Sequence, residues 1–498
     1  MPAAPRSSLR GALLLGLAAG ALNAAIALPF LGRYGWHCDE LYFLAAAKHP
    51  ALGYVDFPPL IAWLGWLLHA LAGNALIAFR LFGIGVAIVV AVLVSLIARE
   101  LGGGRVAQAG AALIAATSPI VLGAGSIYHT TYLDLAATLA LLYVAMLAIG
   151  RPAPRLWPLV GLAAGIGLEA KYTIFAVILG LFAGLLVTSA RRLLATPGPW
   201  VAAAIAFLCL LPNLVWQAQK GWPSLDFFGS QHQATHTDTP HLVYAWLGAF
   251  LLGAGSLLAV IGLVWLWHRR PDLRVFVVTP VVVTTLFFFE DGRSYYPLPA
   301  DFVLVAAGAV ALSGWVARGS RLRLAPVGAL LCLHGAVLAF ALPLVVPIRS
   351  VSGMSRQRLH EQTFFGDELG WYELVDLTAK GWMSMRPAER ADAVILASNY
   401  GEAGAISLLG PSRGLPQPVS GHLSWQYWRP KQLPQHYAVV VGGDPNLLRW
   451  LCSSWAIVGF AGSSHGFVNE QATVWIHTCK LRRPLGELWN QGIARNTF

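Results

Sequence analysis

Predominantly apolar stretches of about 18 residues or more recur through the first 347 residues of this chain, and each is long enough to cross a bilayer as a helix. Lipid offers the backbone no hydrogen-bond partners, so such stretches are restricted to helices that satisfy their own peptide groups. With 57% hydrophobic and only 11% charged residues over 498 positions, the chain reads as a polytopic helical membrane protein rather than a soluble one. Eleven spans are predicted, at about 11–31, 76–98, 107–123, 131–149, 157–170, 172–189, 199–218, 244–267, 275–289, 299–317 and 325–347. The first carries Asn23-Ala24-Ala25, which resembles a cleavage region, but its length suits an uncleaved anchor.

Charge placement orients these spans. Fourteen of the 20 Lys and Arg residues before position 348 fall on the amino-terminal side of the predicted membrane, while only Glu100 and Asp272 of the 12 acids do. Basic linkers stay in the cytoplasm, so the amino end is placed inside, and the opposite face is acidic. This segregation is what divides 157–189 into two spans. It also accounts for the net charge of +11 without nucleic acid as a partner. Residues 1–347 then form a membrane domain, and 348–498 a periplasmic domain. In the latter, Val394–Ala397, Ala438–Val441, Ala456–Phe460 and Thr473–His477 read as short buried strands of a small α/β fold. The five cysteines form no C-x-x-C pair, so neither a zinc ribbon nor a redox motif is present. Cys452 and Cys479 share the tail and are placed to pair if the tail is extracytoplasmic.

One stretch is dense in chemistry. Trp36 to Leu60 sits in the first outer loop, about 33–75, and packs Asp39, Glu40, Asp56, His37, His49 and a Pro-Pro into 25 residues. Its second half, Leu60 to Ala72, is Trp-rich and suits a helix lying on the membrane surface. Carboxylates at the end of a span are costly unless they meet water, a partner or a substrate.

The pattern Asp39-Glu40-x-Tyr42, then Gly53-Tyr54-x-Asp56-x-Pro58-Pro59, resembles the first outer loop of the membrane glycosyltransferases related to protein O-mannosyltransferases and aminoarabinose transferases (glycosyltransferase family 39-like, GT-C fold). The resemblance extends more weakly over nearly the whole chain. It implies a mostly α GT-C protein with a small C-terminal α/β periplasmic domain in the bacterial inner membrane. The implied reaction moves a sugar, hexosyl or pentosyl, with inversion from a polyprenyl-phosphate donor to a hydroxyl of a lipid, glycan or protein. In that family the Asp matched by Asp39 is the proposed base, and Glu40 supports or orients it. The acid at Asp56 lines the acceptor cavity or ligates a divalent metal ion. Where aminoarabinose transferases follow this acid with Lys, the present chain has Phe57, so that phosphate contact is absent or replaced.

Further candidates follow from the same resemblance. Asp134 opens the fourth span, Lys171 interrupts apolar sequence in Glu169-Ala170-Lys171-Tyr172, and Arg293, Tyr295 and Tyr296 occupy a later outer loop. Lys171 and Arg293 are the expected contacts of the donor phosphate, with Arg80 as a further one. The plainer readings are a Glu169–Lys171 pair at the rim, aromatic-belt tyrosines and a snorkelling Arg80. His232 and His236, four apart, would share a helix face as metal ligands can. His129 reads as a structural interfacial residue, and Asn399-Tyr400-Gly401-Glu402 as a turn into a helix without chemistry.

No GxGxxG or Walker motif is present, so the sequence offers no loop for a nucleotide sugar. A transporter or flippase for a lipid-linked glycan is the rival reading. Such proteins carry repeats and midplane charges, whereas here the charges gather at one face and no repeat is visible. A catalytically silent assembly factor is the third, against which the intact Asp39, Asp56 and Lys171 set argues.

Overall fold

The computed structural model describes residues 8–151, 153–235, 241–290, 292–351, 363–462, 469 and 471–496. All eleven predicted spans are helical. Six helices are each long and apolar enough to cross a bilayer: Leu9–Phe30, Leu76–Glu100, Thr130–Gly150, Pro197–Gln219, Leu298–Ala317 and Arg321–Val345. Their outward side chains, Leu208 and Phe340 among them, are more than half exposed, as lipid-facing residues should be. This is a multi-pass membrane protein.

The remaining segments are less uniform than straight spans. Arg105–Ala116 and Pro119–Gly125 meet at 56°, Ile174–Val187 and Ser189–Ala195 at 103°, and His241–Leu252 and Gly255–Arg269 at 97°. The last bend falls inside what the sequence presents as one span, and Gly253 there has φ +60°, a conformation open to glycine at little cost. Trp157–Ala170 and Val275–Phe289 have 14 and 15 residues. At about 1.5 Å per residue they fall short of the bilayer core. The predicted division of 157–189 is present as a break at Lys171, which is extended (φ −162°, ψ 138°). Glu100, an exception to the charge segregation, accepts hydrogen bonds from Arg99 (2.5 Å) and Arg151 (2.6 Å) and so ties two linkers together.

Beyond the last long helix the chain builds a five-stranded sheet in the order β2-β1-β3-β5-β4. The strands are β1 Ala393–Ala397, β2 Val419–Ser420, β3 Tyr437–Val441, β4 Cys452–Phe460 and β5 Trp475–Leu481. β1 runs parallel to β2 and β3, and β5 antiparallel to β3 and β4. The two-residue β2 is too short for an alternating pattern and was not predicted. Val439 and Val441 belong to the core that includes the Trp371–Ser384 helix, while Ala438 and Val440 pack with Leu448, Leu485 and Trp489 on the other face. This is the alternation a two-sided sheet requires. Cys452 and Cys479 form a disulfide across β4 and β5. A loop of that length contributes about 3–4 kcal/mol in the chain-entropy picture.

One buried ion cluster joins loop, span and tail. Arg80, 1% exposed, donates from Nε and Nη2 to Glu40 (3.0 and 2.7 Å), from Nη2 to Glu368 (3.1 Å), and to the carbonyls of Leu31 (2.7 Å) and Gly35 (2.8 Å). The expectation that Arg80 contacts the donor phosphate is therefore corrected: its guanidinium is enclosed and its donors are taken by the chain. Removing one partner of a buried pair typically costs about 3–5 kcal/mol, because the remaining charge is stranded. Arg80→Gln should accordingly lower the melting temperature in detergent by many degrees. A variant that melts like the parent would contradict the structural role assigned to this arginine.

Candidate active site

The site grows from the amino end of the Cys38–Lys48 helix. His37 caps it, its Nδ1 accepting from the Asp39 N–H (3.2 Å), while Glu40 Oε2 accepts from the His37 N–H (2.8 Å). Two acids in the first turn also suit the positive end of the helix dipole. Their fates then diverge. Glu40, 1% exposed, spends Oε1 on Arg80 and the Tyr128 N–H (2.8 Å), so it supports the loop and faces no open space. Asp39 keeps a quarter of its side chain exposed.

Both oxygens of Asp39 are held. Oδ1 accepts from the Tyr400 hydroxyl (2.9 Å) and Oδ2 lies 3.0 Å from His129 Nε2. The tautomer of His129 follows from its other nitrogen. Nδ1 accepts from the Thr131 N–H (3.1 Å) and lies 2.8 Å from the Thr131 hydroxyl, so the proton sits on Nε2 and points at Asp39. Burial alone would raise the Asp39 carboxyl. The His129 hydrogen bond, the nearby His37 and His129 rings and the Tyr400 hydroxyl outweigh it and hold Asp39 well below the usual carboxylate range.

The same hydrogen bonds run on to a cation. Lys171 Nζ lies 3.5 Å from Thr131 Oγ1 and 3.9 Å from Asp134 Oδ2, over the rings of Tyr295 (5.1 Å) and Tyr296 (4.8 Å). A direction of donation is therefore set: Lys171 to Thr131, Thr131 to His129, His129 to Asp39. Among the described residues, the contacts of the Lys171 ammonium are long or made to π faces, which stabilises the charge and leaves N–H donors besides the one turned to Thr131 for an anion. Asp134 is buried, accepts a 3.4 Å hydrogen bond from Thr138 and turns Oδ2 toward the Lys171 ammonium at 3.9 Å. The plainer reading, a Glu169–Lys171 pair at the rim, gives way to a different arrangement, in which Glu169 faces Asn213 Nδ2 at 3.5 Å.

Asp56 joins by a second route. Tyr42 donates to Asp56 Oδ1 (2.8 Å), and its ring stacks on that of Tyr400 with centroids 4.8 Å apart. Two stacked tyrosines thus each hold one of the two loop carboxylates. Tail residues brace them: the Ser424 N–H donates to the Tyr42 hydroxyl (3.0 Å), and Ser424 Oγ accepts from Val55 N (3.0 Å). Burial pushes the Asp56 carboxyl up to about 7, against the Tyr42 hydrogen bond and helped by the charge of Asp39.

The structure thus brings together Asp39, Asp56, Asp134, Lys171, Tyr295 and Tyr296. It sets Glu40 and Arg80 behind them and leaves Arg293 exposed beside the tyrosines. His236 and the side chain of His232 lie outside the described residues. His37 Nδ1, Cys38 Sγ and an Asp39 oxygen lie within 4.8 Å of one another, yet they do not fit a metal. Nδ1 is used by the helix cap, burial and the Asp39 charge keep the thiol protonated, and the carboxylate is occupied by Tyr400 and His129. Sequence reasoning missed His129, Thr131 and Tyr400. The adjacent polar run Tyr128-His129-Thr130-Thr131 at the head of an apolar span was the available signal for the first two. Tyr400, 361 positions from Asp39, lies in the Asn399-Tyr400-Gly401-Glu402 stretch that reads as a plain turn into a helix, and nothing in that stretch points to Asp39.

Residues 56–216 match the model of the dolichyl-phosphate-mannose-protein mannosyltransferase family. Over 184 residues the chain is 29% identical to the lipid A galacturonosyltransferase RgtD of Rhizobium johnstonii, a match covering 36% of this chain and 38% of the relative. The chain thus spans little more than a third of that relative's length. Among solved structures, ArnT from Cupriavidus metallidurans bound to undecaprenyl phosphate superposes with a TM-score of 0.58 at 12% identity, covering 94% of this chain and 97% of the other. The Archaeoglobus fulgidus oligosaccharyltransferase in complex with zinc and sulfate gives 0.56 at 11% identity, covering 86% and 68%.

The chain has the GT-C fold.

In this GT-C protein Asp56 should report its environment through pH. Its folded value near 7 lies above the usual value of about 3.9 for an unfolded Asp. Its contribution to stability is therefore fully present below the unfolded value and lost as pH rises through about 7. Melting temperature should fall less steeply between pH 5 and 8 in Asp56→Asn than in the parent. An unchanged slope would contradict the assignment.

Proposed function

We propose that this protein is an inverting glycosyltransferase that moves a sugar from a polyprenyl-phosphate donor to an acceptor hydroxyl at the outer face of the bacterial inner membrane. The observation that carries the reading is the line from Lys171 through Thr131 and His129 to Asp39. It sets a cation with free donors at one end and an ionised carboxylate at the other. The family model and the names of the relatives support the same chemistry.

The step is a single displacement. The acceptor oxygen bonds to the anomeric carbon as the bond from that carbon to the phosphate oxygen breaks, and the bonding pair stays on the polyprenyl phosphate. Lys171 meets this growing negative charge, with Arg293 beside it. The acceptor proton passes to Asp39. A carboxylate of low basicity suffices, because the hydroxyl becomes strongly acidic as its oxygen bonds to carbon. Asp56 lines the acceptor side, and the polyprenyl chain lies among the lipid-facing helices. The acceptor is a hydroxyl of a cell-envelope lipid, glycan or protein.

Orientation rests on two features. The basic linkers share one side, and the Cys452–Cys479 disulfide suits a tail in the oxidising periplasm. A lipid-linked-glycan transporter is less well supported, because the charged groups converge on one end of the helices rather than the midplane.

Asp39→Asn keeps the shape but can accept from only one of Tyr400 and His129, and it cannot take the proton. It should fold and bind donor yet lose roughly 10²–10⁴-fold in rate, measured as sugar transfer from a polyprenyl-phosphate sugar in detergent with thermal melting as the control. Near-normal turnover in Asp39→Asn, with Asp56→Asn inactive, would move the base to Asp56.

A further inference from the structure

The tail reaches the Asp39 carboxylate through Tyr400. Tyr400 is the first residue of the Tyr400–Leu409 helix, which Asn399 caps by accepting from the Glu402 N–H (2.9 Å). The helix packs directly on the loop helix that carries Asp39: a Cβ at Gly404 would stand 2.8 Å from that of Leu41, an approach only glycine permits. The Tyr400 ring, 7% exposed, lies between Tyr42 (centroids 4.8 Å) and His422 (5.5 Å). Its backbone N–H donates to His422 Nδ1 (3.2 Å). The ring is thus fixed on both faces and at its backbone, and the hydroxyl is delivered to Asp39 Oδ1 at 2.9 Å.

We propose that Tyr400 is a positioning residue for transfer, and that through it the tail is part of the catalytic unit. This rests on Asp39 being the base. With one donor on each oxygen the carboxylate cannot rotate, and its remaining lone pairs are presented on the exposed quarter of the side chain, where an acceptor hydroxyl must arrive. Without Tyr400, Oδ1 would keep only the weak Cys38 thiol donor at 3.8 Å, and the carboxylate would be held mainly by its one hydrogen bond from His129. The tail has no other described hydrogen bond to Asp39. Other polar contacts between tail and loop, among them those of Ile348, Arg349, Asp367 and Ser424 with Arg33, Tyr34, His37, Cys38, Tyr42 and Val55, hold the surfaces together without touching the base.

Tyr400→Phe tests this in the full-length protein, since it preserves the stack and removes the hydroxyl that donates to Asp39 and accepts, at a longer 3.4 Å, from Gln471 Nε2. A hydrogen bond to a charged group lost in this way should lower kcat roughly 10- to 100-fold, with donor KM and melting temperature unchanged. Combined with Asp39→Asn, the same substitution should have no further effect, because the group it acts through is gone. Parental kcat in Tyr400→Phe, with Asp39→Asn inactive, overturns the inference and leaves the proposed function standing. A loss matched by a raised donor KM or a lowered melting temperature also overturns it, in favour of packing. Parental turnover in Asp39→Asn overturns the proposed function and this inference together.

Discussion

A guanidinium at the end of an apolar span is expensive wherever it is not enclosed by partners, and one end of this helical array is built around one that is. Arg80 rises from the Leu76–Glu100 helix and meets Glu40 from the loop helix and Glu368 from the start of the tail. Three segments far apart in sequence are thereby fixed at one point. Because Glu40 also accepts the His37 and Tyr128 N–H groups, the amino end of the loop helix cannot drift. Asp39, its neighbour in the first turn, inherits that rigidity while turning toward water. Preorganisation of this kind is what electrostatic catalysis requires of a scaffold.

The two acids of the Asp39-Glu40 pair show how neighbouring residues of one chemistry are given different work by their surroundings. Four hydrogen bonds from backbone and arginine fix Glu40 as structure. Asp39 receives two from side chains, Tyr400 and His129, and keeps an open flank. Asp56, one tyrosine stack away, sits where burial favours the neutral form. The site therefore presents one carboxylate that stays ionised and one that titrates near neutrality, a separation that suits distinct roles in a transfer reaction.

The membrane helices were legible because lipid enforces a crude rule, long apolar stretches with basic linkers on one side, and the helix ends fall close to those the sequence marks. The bend at Gly253 was not, since a single glycine within an apolar run has many readings. Strands β1, β3, β4 and β5 announced themselves as short apolar runs between Gly, Pro and Asn, whereas β2 is too brief to carry a pattern. In the site, Asp39, Asp56 and Lys171 stood out as charges in costly places. The role of Arg80 was misjudged because sequence does not show that two buried carboxylates converge on it. Tyr400 was invisible for a related reason: its contact with Asp39 is made by the docking of the tail on the loop, and no local spacing encodes that.

The central claim is that a polyprenyl phosphate rests its headgroup on Lys171, at the far end of the hydrogen-bond line from Asp39. A cryo-electron microscopy structure of the protein in nanodiscs with undecaprenyl phosphate tests it most directly. The account predicts phosphate density against Lys171 Nζ, flanked by Tyr295 and Tyr296 and facing Asp39. Density at the arginine-rich linkers of the opposite face, with Lys171 uncontacted, would contradict it.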